Sequence, residues 1–308
     1  MKKLNLFLSA AALMIGVIGF AQNSSNVYQT GNTNNADVNQ VLTNSGSTQD
    51  SYIRQNGDNN RSRVQQLSKG NDSDINQVGN RNVAYVKQDG YGGHKSDIYS
   101  RGNDNRAVVM QVTLGGQNQG QRSDIDQIGN SNLTTVNQSG YQNKSWVYQL
   151  GNGNVADVDQ TNNNANYGRS ESDINTRGNN NYAKVDQQGI VGGHISDVDQ
   201  IGDNNRSNVM QAGNRNESTA YQKGNRNRSN VSQVGTGLSL SGSDLNNSSV
   251  RQYGNDNRSN VLQNGFDHMS TVYQNGNLNK SYVSQSGNGH MSTVTQIGNS
   301  NGSNVMQN

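Results

Sequence analysis

Apolar and polar residues alternate along most of this chain in short, evenly spaced blocks. From Ser25 to Gln307 a five-residue phrase, small–x–β-branched–x–Gln, recurs twenty-four times at a base spacing of eleven residues. Its third position is Val or Ile except at Ala220, and its last is Gln except at Ser100 and Thr176. Alternation around a β-branched centre is typical of a short strand with one buried face. The pattern therefore predicts a series of strands whose small, β-branched and Gln positions face inward.

The links between phrases are of two kinds. After an odd-numbered phrase the next phrase always ends eleven residues further on, and the link between them reads x-Gly-[Asn/Asp]-x-Asn, as in 128–132 and 297–301. Gly and Asn enter positive φ at low cost, which a tight arc requires. The links that leave even-numbered phrases carry all six insertions, which follow Gln40, Gln88, Gln111, Gln160, Gln187 and Gln233. The true repeat is therefore a pair of strands and arcs, 22 residues long and present twelve times.

A repeat of this length predicts an all-β fold, a β-solenoid of about twelve two-strand coils over residues 22–308. Coils stacked about 4.8 Å apart place like side chains in columns, where amide groups can bond up and down. The expected ladder is formed by Gln29, Asn34, Gln40, Gln55, Asn60, Gln66, Gln77, Asn82, Gln88, Gln127, Asn132, Gln138, Gln149, Asn154, Gln160, Gln252, Asn257, Gln263, Gln274, Asn279, Gln285, Gln296, Asn301 and Gln307.

The composition changes the picture in one respect. Only 29% of the residues are hydrophobic, and the chain has neither Cys nor Pro. Without the periodicity this would indicate disorder or an aggregating Asn/Gln-rich segment. With it, stability must come from stacking, and an uncapped last phrase at 303–307 leaves a strand edge open to another chain. We therefore expect an amyloid-forming solenoid.

Residues 1–21 differ from the rest and have the features of a cleaved signal peptide. Lys2 and Lys3 precede an apolar run from Leu4 to Phe20, and Gly19-Phe20-Ala21 is a suitable cleavage site. A retained transmembrane helix is the alternative, but the run is short for a membrane span. The sequence thus predicts a secreted mature chain without membrane insertion.

The charge balance after cleavage bears on partners. Removing Lys2 and Lys3 leaves 22 basic and 22 acidic residues, a net charge of zero. Zero net charge favours self-association, and the absence of a basic excess argues against nucleic acid as a partner. The chain offers no Ser-His-Asp order and no phosphate loop that opens a helix. We expect neither an enzyme nor a cofactor.

Two segments resemble a known repeat family. Residues 77–88 read Gln-Val-Gly-Asn-Arg-Asn-Val-Ala-Tyr-Val-Lys-Gln and fit the curlin repeat, Gln-x-Gly-x-x-Asn-x-Ala-x-x-x-Gln, at every defined position, as do residues 149–160. The resemblance to bacterial curli subunits implies an extracellular functional amyloid of biofilms. It also implies a secretion pore in the outer membrane and a nucleator subunit as partners. Twelve units, and Ser in place of Ala in many of them, depart from the usual pattern.

Outward-facing carboxylates are a first candidate site. Equal offsets place Asp74, Asp97 and Asp124 in three successive coils, and Asp173 over Asp197. Like charges one strand spacing apart are unfavourable. They are either a solvated face, gatekeepers that slow premature fibre formation, or a weak cation site.

The histidines are a second candidate. His268 and His290 occupy equal offsets in adjacent coils, so a stacked pair is a weak candidate for Zn²⁺ or Cu²⁺. The alternative is that they are ordinary residues of the arcs.

Three functions remain open at this stage. The main hypothesis is a structural subunit of secreted, curli-like fibres that polymerises with itself for cell adhesion and biofilm matrix. A surface-tethered nucleator is the close alternative. A monomeric glycan- or ice-binding solenoid is the third, although it would need a flat array of matched outward residues.

Overall fold

The computed structural model describes residues 23–42, 48–113, 120–162, 169–189, 193–235 and 245–308. The predicted signal peptide, 1–21, lies outside these residues. So does most of each insertion, except the one that follows Gln88. Within the described residues there is no helix with the length and apolarity needed to cross a membrane.

Each phrase forms one strand, and most strands extend one residue beyond the phrase at either end. The strands are β1 Ser24–Thr30, β2 Asn35–Val41, β3 Asp50–Asn56, β4 Arg61–Leu67, β5 Asp72–Val78, β6 Val83–Asp89, β7 Lys95–Arg101, β8 Arg106–Val112, β9 Arg122–Ile128, β10 Leu133–Gly140, β11 Lys144–Leu150, β12 Val155–Asn162, β13 Glu171–Arg177, β14 Tyr182–Gly189, β15 Ile195–Ile201, β16 Arg206–Gly213, β17 Glu217–Lys223, β18 Arg228–Val234, β19 Asn247–Tyr253, β20 Arg258–Phe266, β21 Met269–Asn275, β22 Lys280–Asn288, β23 Met291–Ile297 and β24 Gly302–Gln307.

The strands form two parallel sheets. Odd-numbered strands make one 12-stranded sheet in sequence order, and even-numbered strands make the other. Every phrase pairs in register with the phrase two positions on, so that Val136 lies between Val109 and Val158. The predicted all-β solenoid of two-strand coils is therefore confirmed.

The core is a thin layer between the two sheets. Its buried apolar residues, within the described chain, are all Val, Ile or Ala. The small and Gln positions of the phrase are also buried, as Ser73, Ile75 and Gln77 illustrate in one strand. Side chains alternate across a strand, so the residues between them face outward. The core is too thin to stand without the coils above and below it.

Insertions do not disturb the stack. The long insertion after Gln233 separates β18 from β19, yet Gln252 still pairs with Gln222. The insertion after Gln160 likewise leaves Thr176 paired with Gln149. All six insertions fall in the links that leave even-numbered strands, which join the two sheets at one edge of the solenoid. The opposite edge keeps one arc geometry throughout.

Candidate assembly site

The even-numbered sheet contains an unbroken column of glutamine amides. Each Gln donates from Nε2 to Oε1 of the Gln in the next coil, from Gln40 to Gln66 at 2.8 Å through to Gln285 and Gln307 at 2.9 Å. The same Nε2 also donates to a backbone oxygen of the facing sheet, as Gln66 does to Asp50 at 2.7 Å. The column therefore joins successive coils and ties the two sheets together.

The odd-numbered sheet has the same column with two breaks. Gln29 donates to Gln55 at 2.7 Å and Gln55 to Gln77 at 2.9 Å. Where the phrase ends in Thr176, the column stops, since Thr176 Oγ1 and Gln200 Oε1 are both buried and have no hydrogen-bond partner among the described residues. The other break is at Ser100, whose hydroxyl donates to Gln127 at 3.1 Å.

The Asn that ends each rigid arc forms a third column. The backbone N–H of Asn154 donates to Oδ1 of Asn132 at 3.0 Å, and Asn132 Nδ2 donates to the carbonyl of Gly151 at 2.8 Å. The pattern repeats along the stack. These bonds satisfy backbone groups that an arc would otherwise leave unpaired.

A fourth column, which was not predicted from the sequence, runs along the Asn or Asp that follows the glycine in each rigid arc. The backbone N–H of Asn130 donates to Oδ1 of Asn152 at 2.9 Å, and Asn152 does the same to Asn179 at 3.0 Å. The residue after it takes positive φ in every rigid arc, at 56° in Arg81 and 62° in Leu278. The signal for this column in the sequence was the constant Asn or Asp after the glycine of each rigid arc.

The glycine of the rigid arc is required for two reasons. Gly129 has φ +126°, and a Cβ on it would collide with the carbonyl of Gly151. Positive φ is costly for residues with a side chain, and the close approach excludes one in any case. The arcs therefore stack at the spacing of the strands without a gap.

Histidines replace asparagine in the arcs at the other edge. His94, His194, His268 and His290 stand six residues before the end of a phrase, the position that Asn holds in the rigid arcs. The backbone N–H of Gln121 donates to Nδ1 of His94 at 3.2 Å, and that of Asn216 to Nδ1 of His194 at 3.1 Å. A neutral imidazole thus accepts the bond that Oδ1 of Asn accepts elsewhere.

The geometry of His268 and His290 bears on the metal hypothesis. Their rings are stacked, with centroids 5.3 Å apart and planes 4° apart. The backbone N–H of His290 donates to His268 Nδ1 at 3.3 Å, while His268 Nε2 bonds the carbonyl of Asn264 at 3.2 Å. These bonds use both ring nitrogens of His268. The pair therefore fits a rung of the column. No group of three or more potential metal ligands occurs among the described residues.

Burial lowers the pKa values of His94, His194 and His268 and so favours their neutral forms. Desolvation lowers the pKa of His94 from 6.5 to about 4, against a smaller opposing effect of Asp89. It lowers the pKa of His194 to about 4 as well, and it lowers that of His268. Since a protonated Nδ1 cannot accept a hydrogen bond, protonation would break a rung between coils.

The outward carboxylates do stack as their offsets indicate. Asp97 pairs in register with Asp74 on one side and Asp124 on the other, and Asp173 pairs with Asp197. Partial burial, followed by the charge of Asp124, raises the pKa of Asp97 to about 6. Burial and Asp199 raise that of Asp197 to about 6, and the pKa values of Asp74 and Asp173 also rise. Each of these four groups is less acidic in the stack than in a free chain.

The first coil, formed by β1 and β2, has no coil stacked on its outer side within the described chain. All seven residues of β1 are exposed, and Val27 is 42% exposed whereas Ile53, its equivalent in the next coil, is fully buried. Gln29 donates to Gln55, but no described residue donates to the amide oxygen of Gln29.

The last coil, formed by β23 and β24, is likewise uncovered on its outer side within the described chain. Its exposed groups complement those of the first coil. Gln296 accepts from Gln274 at 2.7 Å, and its own Nε2 reaches only the carbonyl of Lys280. At Gly298 the space that the next arc fills elsewhere is open, since the nearest atom to the place where a Cβ would lie is Nδ2 of Asn301, 3.7 Å away. The last coil thus has free donors, such as Gln296 Nε2, and the first coil has free acceptors, such as Gln29 Oε1. If two molecules stacked end to end, these donors and acceptors would face each other.

The two sheets, the amide columns and the open ends define the class of the protein as a ladder-stabilised parallel β-solenoid. The sequence model described as the curlin associated repeat matches residues 129–161, 202–235 and 269–298. The chain therefore contains curlin associated repeats in these three segments, and the resemblance seen in residues 149–160, within the first match, is confirmed. No curated protein matches the chain.

Proposed function

We propose that this protein is a structural subunit of secreted, curli-like amyloid fibres, which grow by stacking the first coil of one molecule on the last coil of another. Membership of a structural repeat family supports a role without catalysis. The supporting observation is the complementarity of the two ends.

The repeat fixes the register that such a contact would take. Strand β23 would pair with β1 of the next molecule, so that Gln296 donates to Gln29, and β24 would pair with β2, so that Gln307 donates to Gln40. His290 Nδ1 would accept the backbone N–H of Asn23, as His268 Nδ1 accepts that of His290. Each rung of the joint then repeats a rung inside the chain.

The fibre would lie outside the cell and serve adhesion and biofilm matrix. This part of the proposal rests on the family and on the signal peptide predicted at residues 1–21. The family also implies an outer-membrane secretion pore and a nucleator subunit as partners. The chain itself fits the major subunit better than the nucleator, because β24 keeps its Gln column to Gln307. An ice-binding solenoid is disfavoured by outward columns that mix Asp, Tyr, Arg and Met. A monomeric glycan-binding solenoid remains the alternative, and a chain that never forms fibres would favour it.

Two variants that each block one end test the proposal. Val27→Lys places a charge on the open face of the first coil, and Val305→Lys does so on the last, where both valines are partly exposed. We expect each variant alone to fold without forming fibres. The two together should form a dimer, because each keeps one free end. Asn26→Lys, on the outward face of the same strand, should still form fibres.

Sedimentation and electron microscopy of the variants distinguish the outcomes. Fibres of either blocked variant at the rate of Asn26→Lys would overturn end-to-end stacking. A mixture that stays monomeric would do the same, provided that circular dichroism shows that both variants are folded.

A further inference from the structure

Four cations form a single file on the outer face of the even-numbered sheet. Arg206, Arg228, Arg258 and Lys280 are the first residues of β16, β18, β20 and β22, and they pair in register from coil to coil. All four are exposed. We call them the cation file. They lie one residue outside the repeated phrase, so the phrase alone does not reveal them.

The described part of the chain does not neutralise the cation file. Among the described residues, none of the four side chains forms an ion pair with a carboxylate. Asp256 lines the same groove as Arg228, Arg258 and Lys280, but both of its carboxylate oxygens are bonded to Arg226, at 2.7 and 2.8 Å. Like charges directly opposite each other on neighbouring strands are destabilising. A row of four such charges without a carboxylate partner in the described chain favours contact with an external anion.

Along the strands, the outward positions next to the cation file are polar and uncharged. The outward positions two residues further along the same strands are held by Asn208, Asn230, Asn260 and Tyr282. Asn260 and Tyr282 line a groove together with Arg258 and Lys280. Amide and hydroxyl groups can form hydrogen bonds with sugar hydroxyls. In the preceding coil the position of the file is held by Tyr182, and the guanidinium of Arg206 lies 4.8 Å from the centroid of its ring.

We propose that the cation file binds a linear acidic polysaccharide whose chain runs along the axis of the solenoid. Strand spacing places the cations about 4.7–4.9 Å apart. A chain of linked uronic acids carries one carboxylate per ring, so its charges are spaced by about one ring length. Successive carboxylates can thus meet successive cations, while Asn208, Asn230 and Asn260 bond the ring hydroxyls.

Nucleic acid fits the same surface less well. Duplex DNA carries about one charge per 1.7 Å of axis, several times the density of the file, and the whole mature chain has no basic excess to neutralise it. A polymer of lower charge density is the better match.

Binding of sodium polygalacturonate to assembled fibres tests the proposal. The variant Arg206→Gln, Arg228→Gln, Arg258→Gln, Lys280→Gln removes the cation file. Its control removes four exposed cations from other places, through Arg54→Gln, Arg101→Gln, Arg106→Gln and Arg251→Gln. Both variants change the net charge equally. We expect the first to lose at least about tenfold in affinity, as two or more charge contacts are worth, and the control to stay close to wild type.

Three further arms complete the experiment. Binding should weaken with added salt, since exposed charges are screened, and methyl-esterified polygalacturonate, which has the same backbone without charge, should bind poorly. Equal loss in both variants, or equal binding of the ester, would overturn the proposal. Tighter binding of duplex DNA, lost with the file, would assign the surface to nucleic acid instead.

A second pair of variants covers the case in which the fourfold variant does not fold or assemble. If the fourfold variant forms no fibres by microscopy, the double variant Arg228→Gln, Arg258→Gln replaces it, with Arg54→Gln, Arg251→Gln as control. The file lies within one chain, so an absence of polysaccharide binding by well-formed fibres rejects this inference and leaves the fibre proposal intact.

Discussion

At the scale of the residue, the glutamine that ends each phrase does most to join one coil to the next. Its amide both donates and accepts, so one side chain can bond the coil above and the coil below. A buried amide that lacks either partner is costly, which makes the column cooperative. The two exceptions, Ser100 and Thr176, show what a missing rung leaves behind, since Gln200 Oε1 next to Thr176 has no partner among the described residues.

Restoring a rung should therefore stabilise the stack. Thr176→Gln places an amide between Gln149 and Gln200, which pair with it in register. We expect a gain of about 1 kcal/mol for the new hydrogen bonds, measured as a higher denaturant midpoint of assembled fibres. Thr161→Gln, at an outward position of β12, is the control and should have little effect. A lower midpoint for Thr176→Gln would contradict the ladder.

The stacked carboxylates predict a dependence of assembly on pH. The pKa of Asp97 is raised from 3.8 to about 6 in the stack, by burial and by neighbouring carboxylates. A raised pKa means that the folded stack binds the proton more tightly, so this contribution is fully present below about 3.8 and is lost as pH rises through about 6. Wild type should assemble faster at pH 5 than at pH 7 if Asp97 acts as a gatekeeper.

Asp97→Asn should shorten the lag time at pH 7 and reduce its change between pH 7 and pH 5, because the amide carries no charge. Thioflavin fluorescence follows the lag time. Asp267→Asn, on an exposed arc, controls for the loss of one charge. If Asp97→Asn and Asp267→Asn behave alike, Asp97 is only part of a solvated face.

At the scale of the element, the strands could be predicted from the sequence and the arcs only in part. Alternation around Ile75 and similar residues identified each strand and its buried face, and equal phrases fixed the register. The phrase did not show that strands extend one residue further at each end, so Arg228 and its neighbours were missed. Periodicity alone also gave no reason to expect that His94 takes the place of an asparagine. The two side chains differ in size and chemistry and have in common only an acceptor atom at a similar position.

The histidine arcs predict an acid effect of opposite sign to that of the carboxylates. The pKa of His94 falls from 6.5 to about 4 on burial, so its contribution to stability is present above about 6.5 and is lost as pH falls towards 4. The double variant His94→Asn, His194→Asn keeps both acceptors without a titrating group. We expect its fibres to lose less stability than wild type between pH 6.5 and pH 4.

The reverse change provides the matched control. Asn143→His puts an imidazole at the equivalent position of another arc, where Asn143 is fully buried. It should increase the loss of stability in the same pH range, measured by denaturation of fibres at each pH. An unchanged acid response in both variants would show that these arcs do not hold the coils together.

At the scale of the whole molecule, the described chain is a stack that has no closing element at either end. Val27 and Val305 mark the two faces where the core is incompletely covered. The last phrase, 303–307, keeps the full pattern of the repeat, which is consistent with such an open face. The sequence did not predict that the amide hydrogen bonds all point from the earlier coil to the later one. This common direction leaves a donor at Gln296 and an acceptor at Gln29.

Electron cryo-microscopy of fibres grown from the mature chain would show directly whether the molecules stack end to end. We expect one continuous pair of parallel sheets, in which Gln296 of one molecule lies one strand spacing, about 4.7–4.9 Å, from Gln29 of the next. Twelve coils at that spacing give a subunit repeat of about 55–60 Å along the axis. Fibres in which molecules associate side by side, or whose strands pair antiparallel, would contradict end-to-end growth.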